Sequence, residues 1–304
     1  MVLKALVIYN PHAGHGRAGK LLPIFRDYLQ QNAIDAEILL TTHQGHGVEL
    51  CREADFSGYD VVIASGGDGT VFEVLNGYYE NHSQNNSQSK PPFAIVPNGT
   101  GNAFSRDMGL APGDWKKAID YLLKKHIREI DVARFKTATE QYYYLNIVGF
   151  GFVSEVNEAS IKYKKLGNAA YILAVFTSLA QLKTYPLTIE MDGHKIQREN
   201  VFVEVSNSRY TGTTFLMAPA AELDDGLLDI TLLNKISRLK ILKVFPSIFK
   251  GEHTQFDEIE TFQAKKIKIT TDKPMKLSPD GELLGETPIE IDCLHKDLKI
   301  FWPE

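Results

Sequence analysis

The sequence is poor in features that would place it in several specialised classes of protein. It has only two cysteines in 304 residues, Cys51 and Cys293, which is too few for the disulfide framework of a small secreted domain or for a cysteine-rich metal site. Its formal net charge is −5, so it lacks the basic excess that draws proteins to nucleic acid. We therefore expect a protein of a reducing compartment that does not bind nucleic acid.

Long apolar segments are missing as well. The longest apolar-rich run, residues 169–182, is shorter than the roughly 20 residues that span a bilayer. The first ten residues do not have the pattern of a signal peptide. These observations predict a cytoplasmic protein whose contact with a membrane is peripheral.

The length and composition suit two domains. Hydrophobic residues make up 43% of the chain and charged residues 23%, as in ordinary globular proteins. Residues 1–133 alternate aliphatic runs with amphipathic stretches, a pattern typical of a parallel sheet covered by helices. The candidate strands are Ala5–Tyr9, Ala36–Leu40, Asp60–Ala64 and Phe93–Val96. The polar tract 80–92 is predicted to be a loop.

Residues 134–304 have a different pattern, rich in β-strands. Turn signals at Asp192-Gly193, Asp225-Gly226 and Asp280-Gly281 separate the runs. The candidate strands are Tyr142–Val148, Leu187–Met191, Val201–Ser206, Leu227–Leu232, Ile267–Thr271 and Pro288–Asp292, and the candidate helices are 169–182 and 239–249. The predicted fold is an α/β, doubly wound Rossmann-like domain followed by a β-rich antiparallel sandwich, with a cleft between them. The last residues, 298–302, are predicted to return to an edge of the first sheet.

The strongest chemical signal is the loop Ser65–Thr70, between an aliphatic run and an amphipathic helix. Ligands of open α/β sheets bind beyond the carboxyl ends of the strands, and a helix N-terminus offers free N–H groups to an anion. Glycines let the backbone approach a phosphate, and Asp68 among them indicates Mg²⁺ bound with the nucleotide. The candidate contacts here are Gly66, Gly67, Asp68, Gly69 and Thr70.

Two more loops follow candidate strands of the same sheet. Residues 97–102 read Pro-Asn-Gly-Thr-Gly-Asn, and residues 9–17 contain two glycines, Gly14 and Gly16, and end at Arg17. The Gly-Lys-Ser/Thr ending of a P-loop is absent. The three loops together predict a site for a polyphosphate, with Arg17 as its cation and Asn98, Gly99, Thr100 and Asn102 as further contacts.

The three loops, in this order, resemble the catalytic domain shared by diacylglycerol, sphingosine and ceramide kinases, and above all the bacterial lipid kinases. The resemblance continues in residues 207–210, 218–229 and 280–282 and so covers nearly the whole chain. It implies ATP and Mg²⁺ as cofactors. It also implies that Asn10, Thr41, Glu73 and Thr100 contact ATP together with the Gly67–Thr70 loop.

The resemblance implies further roles for carboxylates. A structural Mg²⁺ would be held by Asp225 and by the carbonyls of Glu222 and Leu227, although spacing alone favours a simple turn there. Bacterial diacylglycerol kinases commonly have an aspartate where this chain has Ala103. Its absence leaves Asp68 and Asp131 as candidates near the catalytic Mg²⁺, and Asp131 is equally well explained as a cap at a strand end.

Transfer of a phosphoryl group to a hydroxyl requires a carboxylate that accepts the hydroxyl proton. Asp280 and Glu282 flank Gly281, and on a strand both would point the same way. We predict that one is the base, with a slight preference for Glu282, and that the other orients it. Lys162, Lys164 and Lys165 precede the apolar run and form a candidate docking edge for anionic lipid, although most such helices belong to a core.

The sequence thus predicts an ATP-dependent lipid kinase acting on a hydroxyl of diacylglycerol or a sphingoid-type lipid at a membrane surface. One alternative is a soluble NAD kinase-like enzyme, because NAD kinases share the Gly-Gly-Asp-Gly loop, but the asparagine-glutamate motif of that family is missing. Another is a non-catalytic nucleotide-binding regulator. The identity of the lipid and the oligomeric state, a homodimer included, are left open.

Overall fold

The structure, a computed structural model, describes residues 2–85, 90–163, 169–180, 182–212 and 214–304. It divides into two compact units, one within residues 1–130 and 296–304 and the other within residues 131–295. The chain leaves the first unit within the strand Ile127–Lys136 and re-enters it within the strand Ile289–Phe301.

The first unit is built on a parallel sheet. Its strands are β1 (Leu3–Tyr9), β2 (Ile34–Leu40), β3 (Val61–Gly66) and β4 (Phe93–Pro97), in the spatial order β2-β1-β3-β4. Every residue of β3 and β4 is buried, as expected for parallel strands covered on both faces. Ile300, near the end of the chain, pairs in parallel with Phe93.

Helices connect these strands. They are α1 (Arg17–Gln31), α2 (His46–Glu53), α3 (Asp68–Asn85), α4 (Ala103–Asp107) and α5 (Trp115–Lys124). The prediction of a loop from residue 80 onward is wrong for residues 80–85, which continue α3. Asn81 explains the difference, because its buried amide donates to the backbone oxygens of Arg52 at 2.8 Å and Ala54 at 2.7 Å. These tertiary hydrogen bonds stabilise a turn of helix that has no apolar periodicity of its own.

The second unit is rich in antiparallel strands. In chain order the strands after β4 are β5 (Ile127–Lys136), β6 (Gln141–Tyr144), β7 (Ile147–Gly151), β8 (Tyr185–Met191), β9 (His194–Ser206), β10 (Tyr210–Thr211), β11 (Phe215–Leu216), β12 (Leu228–Asn234), β13 (Ile259–Ala264), β14 (Lys266–Thr271), β15 (Leu277–Pro279) and β16 (Ile289–Phe301). The long strand β9 pairs with β8 through its first half and with β7 and β12 through its second half.

Three helices pack against these strands: α6 (Phe152–Lys162), α7 (Ala169–Leu179) and α8 (Arg238–Ser247). Val156 of α6, Val175 of α7 and Val244 of α8 are buried in one apolar cluster with β9. Lys162 is exposed, whereas Lys164 and Lys165 lie outside the described residues. Ala174, Val175 and Leu179 of α7 therefore contribute to the core, whereas Leu173 is 37% exposed, and docking of this edge on lipid stays a prediction.

The predicted fold class is confirmed, with an α/β unit followed by a β-rich unit. One predicted strand, Tyr142–Val148, is in fact two, β6 and β7. The strand is interrupted at Asn146. Its N–H donates to Asp280 Oδ1 at 3.2 Å, and its carbonyl accepts from the N–H of Asn207 at 2.7 Å. Polar groups engaged outside a ladder in this way end one strand and begin the next.

Candidate functional site

Three loops of the first unit meet at one edge of its sheet, because parallel strands end on the same side. Tyr9 of β1 lies beside Ser65 of β3, and Gly66 of β3 lies beside Pro97 of β4. Backbone hydrogen bonds then join the loops, from Asn10 N to Ser65 O at 2.9 Å and from Asn98 N to Gly66 O at 2.9 Å. The structure thus brings together the three loops that the sequence singled out.

Two glycines allow close packing within the Ser65–Thr70 loop and between it and the 97–102 loop. A Cβ on Gly99 would lie 2.3 Å from Cα of Gly67, far closer than carbon atoms can approach. A Cβ on Gly66 would lie 2.3 Å from Oγ1 of Thr70. Gly99 is therefore required by packing between the two loops, and Gly66 by packing within its own loop, in addition to any approach of a ligand.

Polar side chains link the same loops. The Asn10 amide donates to Thr70 Oγ1 at 3.0 Å, and the buried Asn98 amide donates to Ser65 Oγ at 2.8 Å. Ser65 was not among the predicted contacts, and its position at the start of the Ser-Gly-Gly-Asp run was the signal available. These bonds fix the loop geometry before a ligand arrives, which lowers the cost of binding.

Asp68 begins α3 and reaches the start of the next loop's helix. Its Oδ1 accepts a hydrogen bond of 2.7 Å from the N–H of Ala103, the first residue of α4. Although Asp68 is not fully enclosed, desolvation by the surrounding protein raises the pKa of its carboxyl to about 6, against the hydrogen bonds from Ala103 and Asn102 that favour the charged form. A nearby cation would stabilise that charged form.

The donor set suits Mg²⁺ bound with a nucleotide. Magnesium in such sites takes one or two carboxylates, substrate phosphates and waters, and Asp68 supplies one carboxylate among loops suited to phosphate. No group of three or more histidine, cysteine, aspartate or glutamate side chains is arranged around a metal position in the described ranges. Asp68 and the surrounding loops thus fit a metal that is shared with phosphate.

Glu73 of α3 supports a neighbouring loop. Its Oε1 accepts from Gly45 N at 2.7 Å and its Oε2 from Gly47 N at 2.9 Å, so the carboxylate holds the start of α2. The same loop contains the buried Thr41, whose N–H donates to Tyr9 O at 2.9 Å. Contact of Thr41 and Glu73 with ATP stays a prediction, and the observed bonds of Glu73 are to the backbone.

Positive charge at this edge comes from Arg17 and from helix ends. Arg17 is exposed at the start of α1, and its Nε donates to Gly14 O at 2.9 Å. Gly16 precedes α1, whose first N–H groups donate to backbone oxygens of residues 11–14, and the N–H of Gly47 in α2 donates to Glu73 Oε2 at 2.9 Å. The exposed Arg17 guanidinium and the positive end of the α1 dipole favour an anion such as phosphate.

The second unit contains the remaining predicted residues. Asp131 is fully buried; its Oδ2 accepts from Gly226 N at 2.6 Å, and its Oδ1 lies 2.9 Å from His295 Nδ1. Its own N–H donates to Leu223 O at 2.6 Å. Asp131 therefore holds the loop 222–227 in place, and a role for it beside a catalytic metal stays a prediction.

The loop 222–227 gathers negative charge. Asp225 Oδ1 accepts from Leu227 N at 2.9 Å. Burial, together with the charges of Asp225 and Glu222, raises the pKa of Asp229 to about 6. A cation here would relieve this repulsion, which is consistent with the structural Mg²⁺ predicted for Asp225, Glu222 and Leu227.

Asp280 and Glu282 lie in a tight turn, as the Asp280-Gly281 turn signal predicted, so strand alternation does not set the directions of their side chains. Asp280 and Gly281 both have positive φ, 44° and 88°, and Glu282 N donates to Pro279 O at 2.8 Å. Asp280 Oδ1 accepts from the N–H groups of Asn146 at 3.2 Å and of Ile147 at 2.9 Å. The Asp280 carboxylate is therefore oriented by the backbone.

Comparison with known proteins gives matches to both units. The model of the diacylglycerol kinase catalytic domain matches residues 4–135, and that of the YegS C-terminal NAD kinase beta sandwich-like domain matches residues 146–302. Diacylglycerol kinase of Bacillus subtilis is 29% identical over 303 residues, covering 99% of this chain and 97% of that protein.

Solved structures of similar proteins also match nearly the whole of this chain. A protein from Bacillus anthracis, described as a candidate diacylglycerol kinase, is 31% identical with a TM-score of 0.82, covering 99% of this chain and 95% of that one. An NAD kinase from Archaeoglobus fulgidus in complex with ATP has a TM-score of 0.52 at 13% identity, over 99% of this chain and 94% of that one. The latter similarity concerns the fold alone.

Proposed function

We propose that this chain, which belongs to the diacylglycerol kinase family and is a kinase, transfers the γ-phosphate of ATP to a hydroxyl group of diacylglycerol. The observation that carries the proposal is the junction of three glycine-rich loops at the carboxyl edge of the first sheet, with Asp68 among them. The names of the relatives support diacylglycerol as the first acceptor to test.

The loops and helix ends would hold the triphosphate. The exposed guanidinium of Arg17 and the positive end of the α1 dipole provide positive charge for the phosphates. Phosphoryl transfer depends mainly on positioning and on neutralising charge. Preformed loops tied by Asn10 and Asn98 suit that requirement.

Asp68 would hold Mg²⁺ beside the phosphates. The metal, when bound, supplies charge that neutralises the oxygens of the transferred group. The carboxylate of Asp68 is positioned for this by its bond to Ala103 N. Its ionised form, disfavoured by desolvation in the isolated protein, would be restored by the metal's charge.

Glu282 would accept the proton of the lipid hydroxyl, with Asp280 as its positioning partner. Asp280 Oδ1 is occupied by two backbone N–H groups, which suits a group that fixes geometry. Glu282 is half-buried at the end of the turn, where a carboxylate can reach solvent or substrate. A separate Mg²⁺ at Asp225 would stabilise the second unit.

The acceptor lipid implies work at a membrane surface. Among the described residues no helix combines the length and apolar character needed to cross a bilayer. Peripheral association of a cytoplasmic enzyme with the membrane is therefore part of the proposal.

A labelled-phosphate assay tests the proposal. The purified chain would be incubated with labelled ATP, Mg²⁺ and, in separate reactions, diacylglycerol, sphingosine, ceramide and NAD. We expect phosphatidic acid from diacylglycerol, and loss of that product in Asp68→Asn with unfolding unchanged. Asp27→Asn, an exposed aspartate of α1, is the matched control and should keep full activity. Equal turnover by Asp68→Asn, or preferred labelling of NAD, would overturn the assignment.

A further inference from the structure

One helix of the second unit is apolar on two sides. Ile241 and Val244 of α8 and Ile248 of the following 3₁₀ turn are buried. On the other side Leu239 is 78% exposed, Leu242 43% and Phe249 45%. Large side chains this exposed at helical spacing are unusual on a free surface and indicate an interaction site.

The same segment is strongly basic. Between Asn234 and Lys250 the chain has five basic residues and no acidic one, in a protein whose net charge is −5. Lys240 pairs with Glu258, and Lys235 lies 3.9 Å from Glu199. The others, Arg238, Lys243 and Lys250, are exposed and have no acidic partner in the described part of the chain.

We call Arg238, Leu239, Leu242, Lys243, Phe249 and Lys250 the α8 surface, and we propose that it docks the protein on anionic lipid headgroups. The apolar side chains would enter the interfacial region, and the cations would meet lipid phosphates. An interfacial helix with apolar residues beside lysine and arginine is the usual arrangement for this purpose.

Charge selects the partner. Cations without acidic neighbours are complementary to a negative surface, and exposed leucine and phenylalanine gain free energy by entering lipid. Zwitterionic lipid offers the apolar gain alone. Binding should therefore require anionic lipid and weaken as salt screens the charges. The inference rests on the proposed function, because a membrane-resident acceptor gives the enzyme a reason to dock.

Vesicle flotation of the full-length chain tests the α8 surface directly. Wild type should bind vesicles of equimolar phosphatidylcholine and phosphatidylglycerol but not vesicles of phosphatidylcholine alone. The triple variant Arg238→Gln, Lys243→Gln, Lys250→Gln should bind the anionic vesicles roughly 100-fold more weakly, since each basic residue near such a surface contributes about a fivefold change. Leu239→Gln should weaken binding by roughly tenfold.

Matched controls isolate the surface. Ile24→Gln removes an apolar side chain of α1 that is 57% exposed, against 78% for Leu239, and Lys195→Gln removes an exposed cation of β9. Both should bind vesicles as wild type does. Equal binding by the triple variant, or failure of the wild type to bind, would overturn the inference. So would variants of the α8 surface that alter self-association in sedimentation and leave vesicle binding unchanged.

A second readout separates this inference from the proposed function. With a short-chain diacylglycerol dissolved as monomers, the triple variant should keep wild-type turnover, since it touches no residue of the proposed catalytic machinery. With diacylglycerol in anionic vesicles its turnover should fall with its binding. Loss of turnover on both substrates would contradict a docking role. Absence of wild-type activity on every lipid would refute the proposed function while leaving the flotation result valid.

Discussion

Glu204 offers a sharp test of how burial controls the stability of the second unit. It lies near the C-terminal end of β9, between Gly149 of β7 and Thr231 of β12, and is only 2% exposed. Its Oε2 has no hydrogen-bond partner in the described ranges. Gly149 makes room for it, since a Cβ there would lie 3.1 Å from Glu204 Cγ. Burial raises the pKa of this carboxyl from 4.5 to about 8.

The sign of the pH dependence follows from proton binding. Between pH 4.5 and about 8 the folded protein keeps the Glu204 proton, whereas the unfolded chain has released it. The folded state therefore binds more protons, and the free energy of unfolding falls as the pH rises through this window. A shift from 4.5 to about 8 corresponds to a loss on the order of 5 kcal/mol.

Glu204→Gln removes the titration at nearly constant volume. Thermal unfolding followed by circular dichroism at several pH values should show the wild type losing stability relative to Glu204→Gln by roughly 10 °C between pH 5 and pH 8. The measured quantity is how the difference in melting temperature between wild type and variant changes with pH, and not the absolute stability of the variant. Glu190→Gln, on an exposed position of β8, is the control and should follow the wild type. A difference between wild type and Glu204→Gln that does not change with pH would refute the reasoning.

Three further predictions test the candidate sites with four substitutions. Gly99→Ala should abolish nucleotide binding and lower the melting temperature, measured by calorimetry, because the added Cβ would lie 2.3 Å from a neighbouring backbone carbon; Gly58→Ala, where a Cβ meets nothing within 4 Å, should do neither. Glu282→Gln and Asp280→Asn should each lower kcat by roughly 10² to 10⁴ with ATP affinity unchanged, as for loss of a general base, and near-normal kcat in both would leave this turn a structural feature only. Asp225→Ala should remove an Mg²⁺-dependent rise in melting temperature, and an equal rise in wild type and variant would place any such metal elsewhere.

The sequence alone determined the fold class and the position of the candidate phosphate-binding loops. Alternating aliphatic and amphipathic runs are a local property of the chain, and the Ser65–Thr70 and Pro97–Asn102 loops read as strand-loop-helix junctions without knowledge of their neighbours. Because parallel strands end at one edge of the sheet, the sequence also predicted that these two loops meet there. Contacts across long sequence separations were beyond this reasoning. Asn81 extends α3 through hydrogen bonds to residues about 30 positions earlier.

Only the tertiary structure decided which polar groups are buried and what they bond. A motif with aspartate or glutamate reads the same whether its carboxylate faces a ligand or the backbone. Asp131 turned out to hold the loop 222–227, and Glu73 the start of α2. The sequence predicts a helix over 239–249, but its pattern does not show that Leu239 is exposed and Ile241 buried, because the packing of neighbouring strands covers just one of the two apolar sides of this segment. The burial of a side chain depends on elements that are distant in sequence. The local sequence pattern therefore predicts burial less well than it predicts secondary structure.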